Sequence, residues 1–134
     1  NWKEIPSQGS IRFAPEGGYS NNDLWHGVML GAAKGTGANL ADTTSQYISE
    51  MLKDNSYLKQ AGQAQRVTVA GLQGLATRLS GPSPTTGKVE IVTIITASLQ
   101  SGDLFYVAAI VPEADAAKYN TAFRNLVNSI KLSK

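Results

Sequence analysis

Two hydrophobic periods take turns along this chain. Ile11 and Phe13 alternate with polar neighbours before the chain breaks into a Pro/Gly/Asn loop, PEGGYSNND. Alternation resumes in HGVMLGAAK, where His26, Val28, Leu30 and Ala32 share one face and Gly27, Met29 and Gly31 the other. A period of two predicts a strand. The period then changes. In NLADTTSQYISEMLKDN, Leu40, Thr44, Tyr47, Ile48, Met51 and Leu52 fall at i, i+4, i+7, i+8, i+11 and i+12, one stripe of a helix. Asn39 is placed to cap that helix, with Asp42 three residues on in the manner of a capping box. SYLKQAGQ reads as a turn and connection.

Strand patterns return after it. QRVTVA puts Val67 and Val69 on one face, GLQG reads as a glycine-bounded turn, and LATRLS comes back, which predicts a hairpin. GPSPTTG is a loop. KVEIVTIITASLQ is long and β-branched, with Val89, Ile91, Thr93, Ile95, Ala97 and Leu99 on one side; SGD turns it and LFYVAAIV returns. Both are apolar on two faces in places, so central strands covered on each side are expected. Ala116, Tyr119, Phe123, Leu126, Val127 and Ile130 then form a second helical stripe, with Pro112, Glu113 and Asp115 at its start and Lys131 and Lys134 at its end. The predicted fold class is α+β: a mostly antiparallel, twisted sheet of about five to six strands packed with two main helices.

At 134 residues the chain is one domain, long enough to bury a core without disulfides or metal. Twelve basic and ten acidic residues are scattered, giving a net charge of +2 and no basic stripe. That argues against nucleic acid as a partner and against an electrostatic membrane anchor. The absence of cysteine removes thiol catalysis, thiolate zinc sites and disulfides together. The longest apolar runs are far short of the roughly 18 residues of a membrane span, so no direct membrane insertion is expected. The chain opens NWKEIP without a Met, which reads as a piece of a longer precursor.

His26 is the only histidine. A hydrolytic zinc site uses about three protein ligands, and no HExxH pair is present; no G-x-S-x-G elbow accompanies a Ser–His–Asp arrangement. A small hydrolytic site pairing His26 with Asp23 is an alternative; a strand histidine without a chemical role is the leading reading. GAAKGTGANL places Lys34, Gly35 and Gly37 between a strand and a helix, a candidate anion site. Its spacing matches neither a P-loop nor a dinucleotide fingerprint, so the glycines read first as a turn. In the polar loop, Glu16, Asn21, Asn22 and Asp23 offer oxygen ligands without an EF-hand pattern. No metal site is assigned. Tyr19 and Trp25 flank that loop, and such aromatics are enriched at contacts. The candidate binding residues are Tyr19, Asn21, Asp23, Trp25 and His26. Exposed sheet edges also offer pairing to a partner or a second copy.

The ending SGDLFYVAAIVPEADAAKYNTAFRNLVNSIKL, with its Ser129-Ile130-Lys131-Leu132 close, resembles a PsbP-like (Mog1p/PsbP-type) domain, and GLQGLATRLSG resembles that family's glycine-marked hairpin. NWKEIP, IRFAPEGGY, HGVMLG and SGPSPTTGKVEIVTIIT are also similar to the C-terminal domain appended to some bacterial HExxH zinc metallopeptidases. The resemblance implies a single PsbP-like domain over 1–134 from the C-terminal part of a longer, exported bacterial protein. It implies a non-catalytic accessory role. Zinc would belong to the parent protein and no cofactor to this domain, and the partners would be the parent protease domain, its substrates, or a second copy through a sheet edge. A free-standing PsbP-like binding protein or lipoprotein is the alternative.

Overall fold

The computed structural model describes residues 3–7, 10–14, 19–20, 23–24, 27–34, 39–84, 87–99 and 102–130. Ten strands and two helices follow in the order β1 (Lys3–Ser7), β2 (Ser10–Ala14), β3 (Tyr19–Ser20), β4 (Asp23–Leu24), β5 (Gly27–Ala33), α1 (Leu40–Asp54), β6 (Lys59–Gln60), β7 (Gln65–Val69), β8 (Leu72–Pro82), β9 (Val89–Ser98), β10 (Leu104–Pro112) and α2 (Ala116–Ser129). A 3-10 turn, Glu113–Asp115, leads into α2. The main sheet runs β1-β2-β5-β10-β9-β8, and β6 and β7 share the position beyond β8. Every pairing is antiparallel. The α+β class is as expected, but the sheet is wider than five to six strands: eight strands fill seven positions. The extra ones are β1, whose Pro6 lacks a ladder donor, and β6, two polar residues that pair with Ser80 and Leu79. Neither shows the alternation that marks a strand in sequence.

The sheet has a helix on each face, which is why its central strands are apolar on both sides. Val92 and Ile94 of β9, Leu79 of β8 and Ala108 of β10 share a cluster with Ile48 of α1, flanked by Tyr47, Met51 and Leu52. Ile95, Phe105, Val107, Ala109, Val28 and Val69 form the other, covered by Phe123, Leu126 and Val127 of α2 and by Ile130 just beyond its end. The alternation read from HGVMLGAAK is the one observed: Val28 and Leu30 join the α2 cluster and Met29 the α1 cluster. Each fully buried Leu, Ile or Val contributes on the order of 2 kcal/mol.

Local chemistry sets the element ends. The Asn39 side chain accepts the Asp42 N–H at 2.9 Å and caps α1. The Asn55 backbone and side-chain N–H groups both donate to the Met51 carbonyl at the other end. The β7–β8 hairpin is tighter than GLQG suggests. Val69 pairs with Leu72, so only Ala70 and Gly71 turn the chain, with φ of 52° and 79°. Two residues at positive φ are the mark of a type I′ turn, whose twist suits a hairpin. Gly74 lies inside β8 instead, opposite Val67.

Candidate binding surface

Helix α1 crosses β8, β9 and β10 and leaves a cleft on either side of its N-terminal half. Thr44 fixes it there. Its hydroxyl lies 2.7 Å from that of Thr96 on β9, and both residues are buried. The Thr96 hydroxyl also approaches the Leu75 carbonyl of β8 at 3.5 Å.

The first cleft, about 510 Å³, opens between α1 and the ends of β5 and β10, bounded by Ala33, Lys34, Gln46, Tyr47, Glu50 and Leu104. Tyr47 is its one aromatic lining residue, backed by a second ring. Tyr47 stacks on Tyr106 with ring centroids 4.9 Å apart and planes 28° from parallel. The strand register brings this about, setting Tyr106 between Thr96 and Gly31 in one row of the sheet. Burial raises the Tyr47 phenol above its ordinary pKa, and the neighbouring Tyr106 adds to the effect. Burial also raises Tyr106, and the Arg12 guanidinium pulls it partly back. Both phenols therefore stay protonated well into alkaline solution. Each keeps an O–H that can donate a hydrogen bond, and neither is disposed to act as a base.

The second cleft, about 520 Å³, lies on the opposite side of α1. Asn39, Leu40 and Ala41 form one wall, and Arg66 and Thr68 of β7 with Leu75 of β8 form the other. It runs along the outer strand of the sheet. Among the described residues β7 has only β8 as a strand partner. Arg66, Val67 and Thr68 of β7 line the cleft, so an extended chain laid against β7 would lie beside a groove.

Of the residues singled out in the sequence, Tyr19, Asp23 and Lys34 are among those described. Tyr19 and Asp23 belong to a separate two-stranded ladder, Tyr19 opposite Leu24 and Asp23 opposite Ser20. Asn21, Trp25 and His26 lie outside the described residues, as do Gly35 and Gly37. Lys34 is exposed, directly after β5, on the rim of the tyrosine-lined cleft. Tyr47, Tyr106, Arg66 and Thr68 were not legible as surface chemistry. Tyr47 reads as one more member of the apolar stripe of α1, and the row containing Tyr106 exists only once register is set. The one available signal was QRVTV itself, a strand without proline or lysine. Among the described residues no three of His, Cys, Asp and Glu come together. No helix there is long and apolar enough to cross a membrane.

No known protein family matches the sequence, and no curated protein sequence is similar to it. Solved structures do match. A Pseudomonas aeruginosa protein of unknown function superposes with a TM-score of 0.60 at 7% identity, over 99% of this chain and 98% of that one. The Saccharomyces cerevisiae Ran-binding protein Mog1p superposes with a TM-score of 0.50 at 11% identity, over 91% of this chain and 83% of its own. Identities this low speak for the fold alone. With its antiparallel sheet and a helix on each face, this chain has a PsbP-like, Mog1p-type fold.

Proposed function

We propose that this chain is a non-catalytic protein-interaction domain. The observation that carries the reading is the outer strand β7 beside the α1 cleft, where an edge with no further strand among the described residues and an adjoining groove suit an extended protein segment. Mog1p, of the same fold, is a Ran-binding protein, which supports protein binding as a use of this architecture. The finer reading rests on the likeness of NWKEIP, IRFAPEGGY, HGVMLG and SGPSPTTGKVEIVTIIT to the domain appended to bacterial HExxH zinc metallopeptidases. On it, the domain is an accessory module of an exported peptidase, in the periplasm, envelope or medium. It presents substrates to the parent protease domain or regulates it, and zinc is held by the parent alone. Pairing of a second copy through a sheet edge belongs to the same reading.

An antibody to this domain, applied to fractionated source cells, tests the assignment. The expected result is a band well above 14.2 kDa in an exported or envelope fraction that carries zinc-dependent peptidase activity. A band near 14.2 kDa would overturn the accessory role. Peptidase or other hydrolytic activity in the isolated chain, lost in His26→Ala, would overturn the non-catalytic reading.

One observation favours a free-standing binding protein as the second reading. The matched Pseudomonas aeruginosa chain is covered over 98% of its length, so the fold also stands as a whole chain. That reading expects the small band.

A further inference from the structure

We infer that strand β7 pairs with β7 of a second copy of this chain, antiparallel about a two-fold axis at Val67. The inference rests on the reading of the β7 edge as a protein-binding site and names its occupant.

Backbone parity decides which groups of β7 face outward. The turn of the β7–β8 hairpin has two residues, so the residues flanking it, Val69 and Leu72, form a hydrogen-bonded pair. Alternation then turns the N–H and C=O of Val69, Val67 and Gln65 toward β8, and those of Arg66 and Thr68 away from it. The other end of β8 agrees. Its residue Arg78 accepts the Ala61 N–H, so the even-numbered residues of β8 face the outer edge, as this parity requires.

Two-fold symmetry then restricts the register. A two-fold pairing must bring outward-facing residues opposite one another. Setting Arg66 opposite Arg66 of the second copy places like charges face to face, which destabilises a ladder. Setting Thr68 opposite Thr68 brings Arg66 against Ala70, which is committed to the turn at φ 52°. The remaining register sets Arg66 opposite Thr68 in both directions. It forms four backbone hydrogen bonds, two for each of the two equivalent pairs. Val67 then meets Val67 as a non-hydrogen-bonded pair, the closer of the two spacings and a favoured β-branched contact. Arg66 and Thr68 are both exposed, so neither side chain must leave a core to make room. The chain thus carries a self-complementary edge.

The opposite edge is different. β1 carries Lys3 and Pro6, the residue types that discourage edge pairing. β7, reading QRVTV, has no proline or lysine and a single charge, Arg66.

The test is sedimentation of the 134-residue chain together with oxidation of single-cysteine variants, which is clean because the native chain has no thiol. A reversible species at twice 14.2 kDa that dissociates on dilution is expected. Val67→Cys should form a disulfide-linked dimer under mild oxidation. Gln65→Cys, on the same face but offset from its copy by four residues, about 13 Å along the strand, should not. Thr68→Pro removes an outward N–H that β8 does not use; it should give a folded monomer by circular dichroism. A chain that stays monomeric at every concentration, with Val67→Cys uncrosslinked, overturns the inference. So does a dimer that Thr68→Pro leaves intact, or one in which Gln65→Cys crosslinks as readily as Val67→Cys. A monomer whose Arg66 and Thr68 amides gain exchange protection only with the parent's peptidase domain overturns self-pairing and upholds the interaction reading.

Discussion

The hydroxyls of Thr44 and Thr96 lie 2.7 Å apart, with the two residues 4% and 0% exposed, and this one polar contact ties the first turns of α1 to the central strand β9. A buried hydrogen bond is worth only about 1 kcal/mol net, but leaving one partner unsatisfied costs about 1–3 kcal/mol. Thr44→Val should therefore destabilise the domain by about 1–2 kcal/mol, because Thr96 keeps only the long approach to the Leu75 carbonyl. Thr44→Val combined with Thr96→Val should cost less than the sum of the single changes, with a coupling of about 1 kcal/mol in urea unfolding. Strict additivity would show that the contact contributes nothing.

Stability at high pH should follow the tyrosines. Tyr47, Tyr57 and Tyr106 are all raised from 10.0, chiefly by burial, with Tyr106 adding to the first and the Glu90 carboxylate to the second. For an acid whose folded pKa exceeds the unfolded one, the folded state holds its proton more tightly. The resulting stabilisation is complete below pH 10 and is lost as pH rises through the folded values. Phenolate absorbance should show fewer than the five tyrosines ionising near pH 10 in the native chain, and all five doing so in denaturant. Unfolding free energy should be flat just below pH 10 and fall above it. Five tyrosines titrating together in the native chain would contradict the burial of this cluster.

Thr77 sits on β8 at 2% exposure, and its hydroxyl has no hydrogen-bond partner among the described residues. In register it lies opposite Ile94, on the α1 side of the sheet. Replacing an unsatisfied hydroxyl by a methyl of the same shape removes a desolvation cost. Thr77→Val should leave the fold unchanged and raise stability by about 1 kcal/mol in denaturant unfolding. A loss of that size would mean the hydroxyl is satisfied in solution.

Gly81 is crossed by the chain leaving α1. A Cβ there would overlap the Tyr57 carbonyl oxygen and crowd the Leu58 backbone. Gly81→Ala should destabilise by about 1–3 kcal/mol through forced backbone displacement, whereas Gly87→Ala, in open space though at φ 74°, should cost about 1 kcal/mol of local strain. Thermal unfolding of the two variants checks the order; equal losses would show that the connection above Gly81 can move aside.

Much of the fold was legible because its signals are local. Asn39 before a stripe at Leu40, Thr44, Ile48 and Met51 predicts α1 almost to the residue, and the two-faced apolarity of β9 and β10 predicts a layer on each side. Of the edge strands, β7 was legible and β1 and β6 were not. β1 and β6 owe their conformation to the strands beside them rather than to their own composition. The turn at Ala70–Gly71 was misplaced by two residues because glycine marks both a turn and a close approach, and Gly74 serves the second purpose: a Cβ there would lie 2.6 Å from the Thr96 carbonyl oxygen.

The candidate surface shows the same division more sharply. His26 and Trp25 lie outside the described residues, and residue type alone does not say which side chains meet. Composition, period and capping chemistry by themselves determined the α+β class, the two helices and which strands are central. Each of these depends on residues within a few positions of one another, where hydrophobic spacing and backbone preference act directly. Only the tertiary structure decided that Tyr106 stands beneath Tyr47, that Thr96 meets Thr44 fifty-two residues away, and that β7 ends the sheet with Arg66 and Thr68 facing outward. Those relations depend on strand order and register, which are set by the packing of the whole sheet and leave no mark in any one segment.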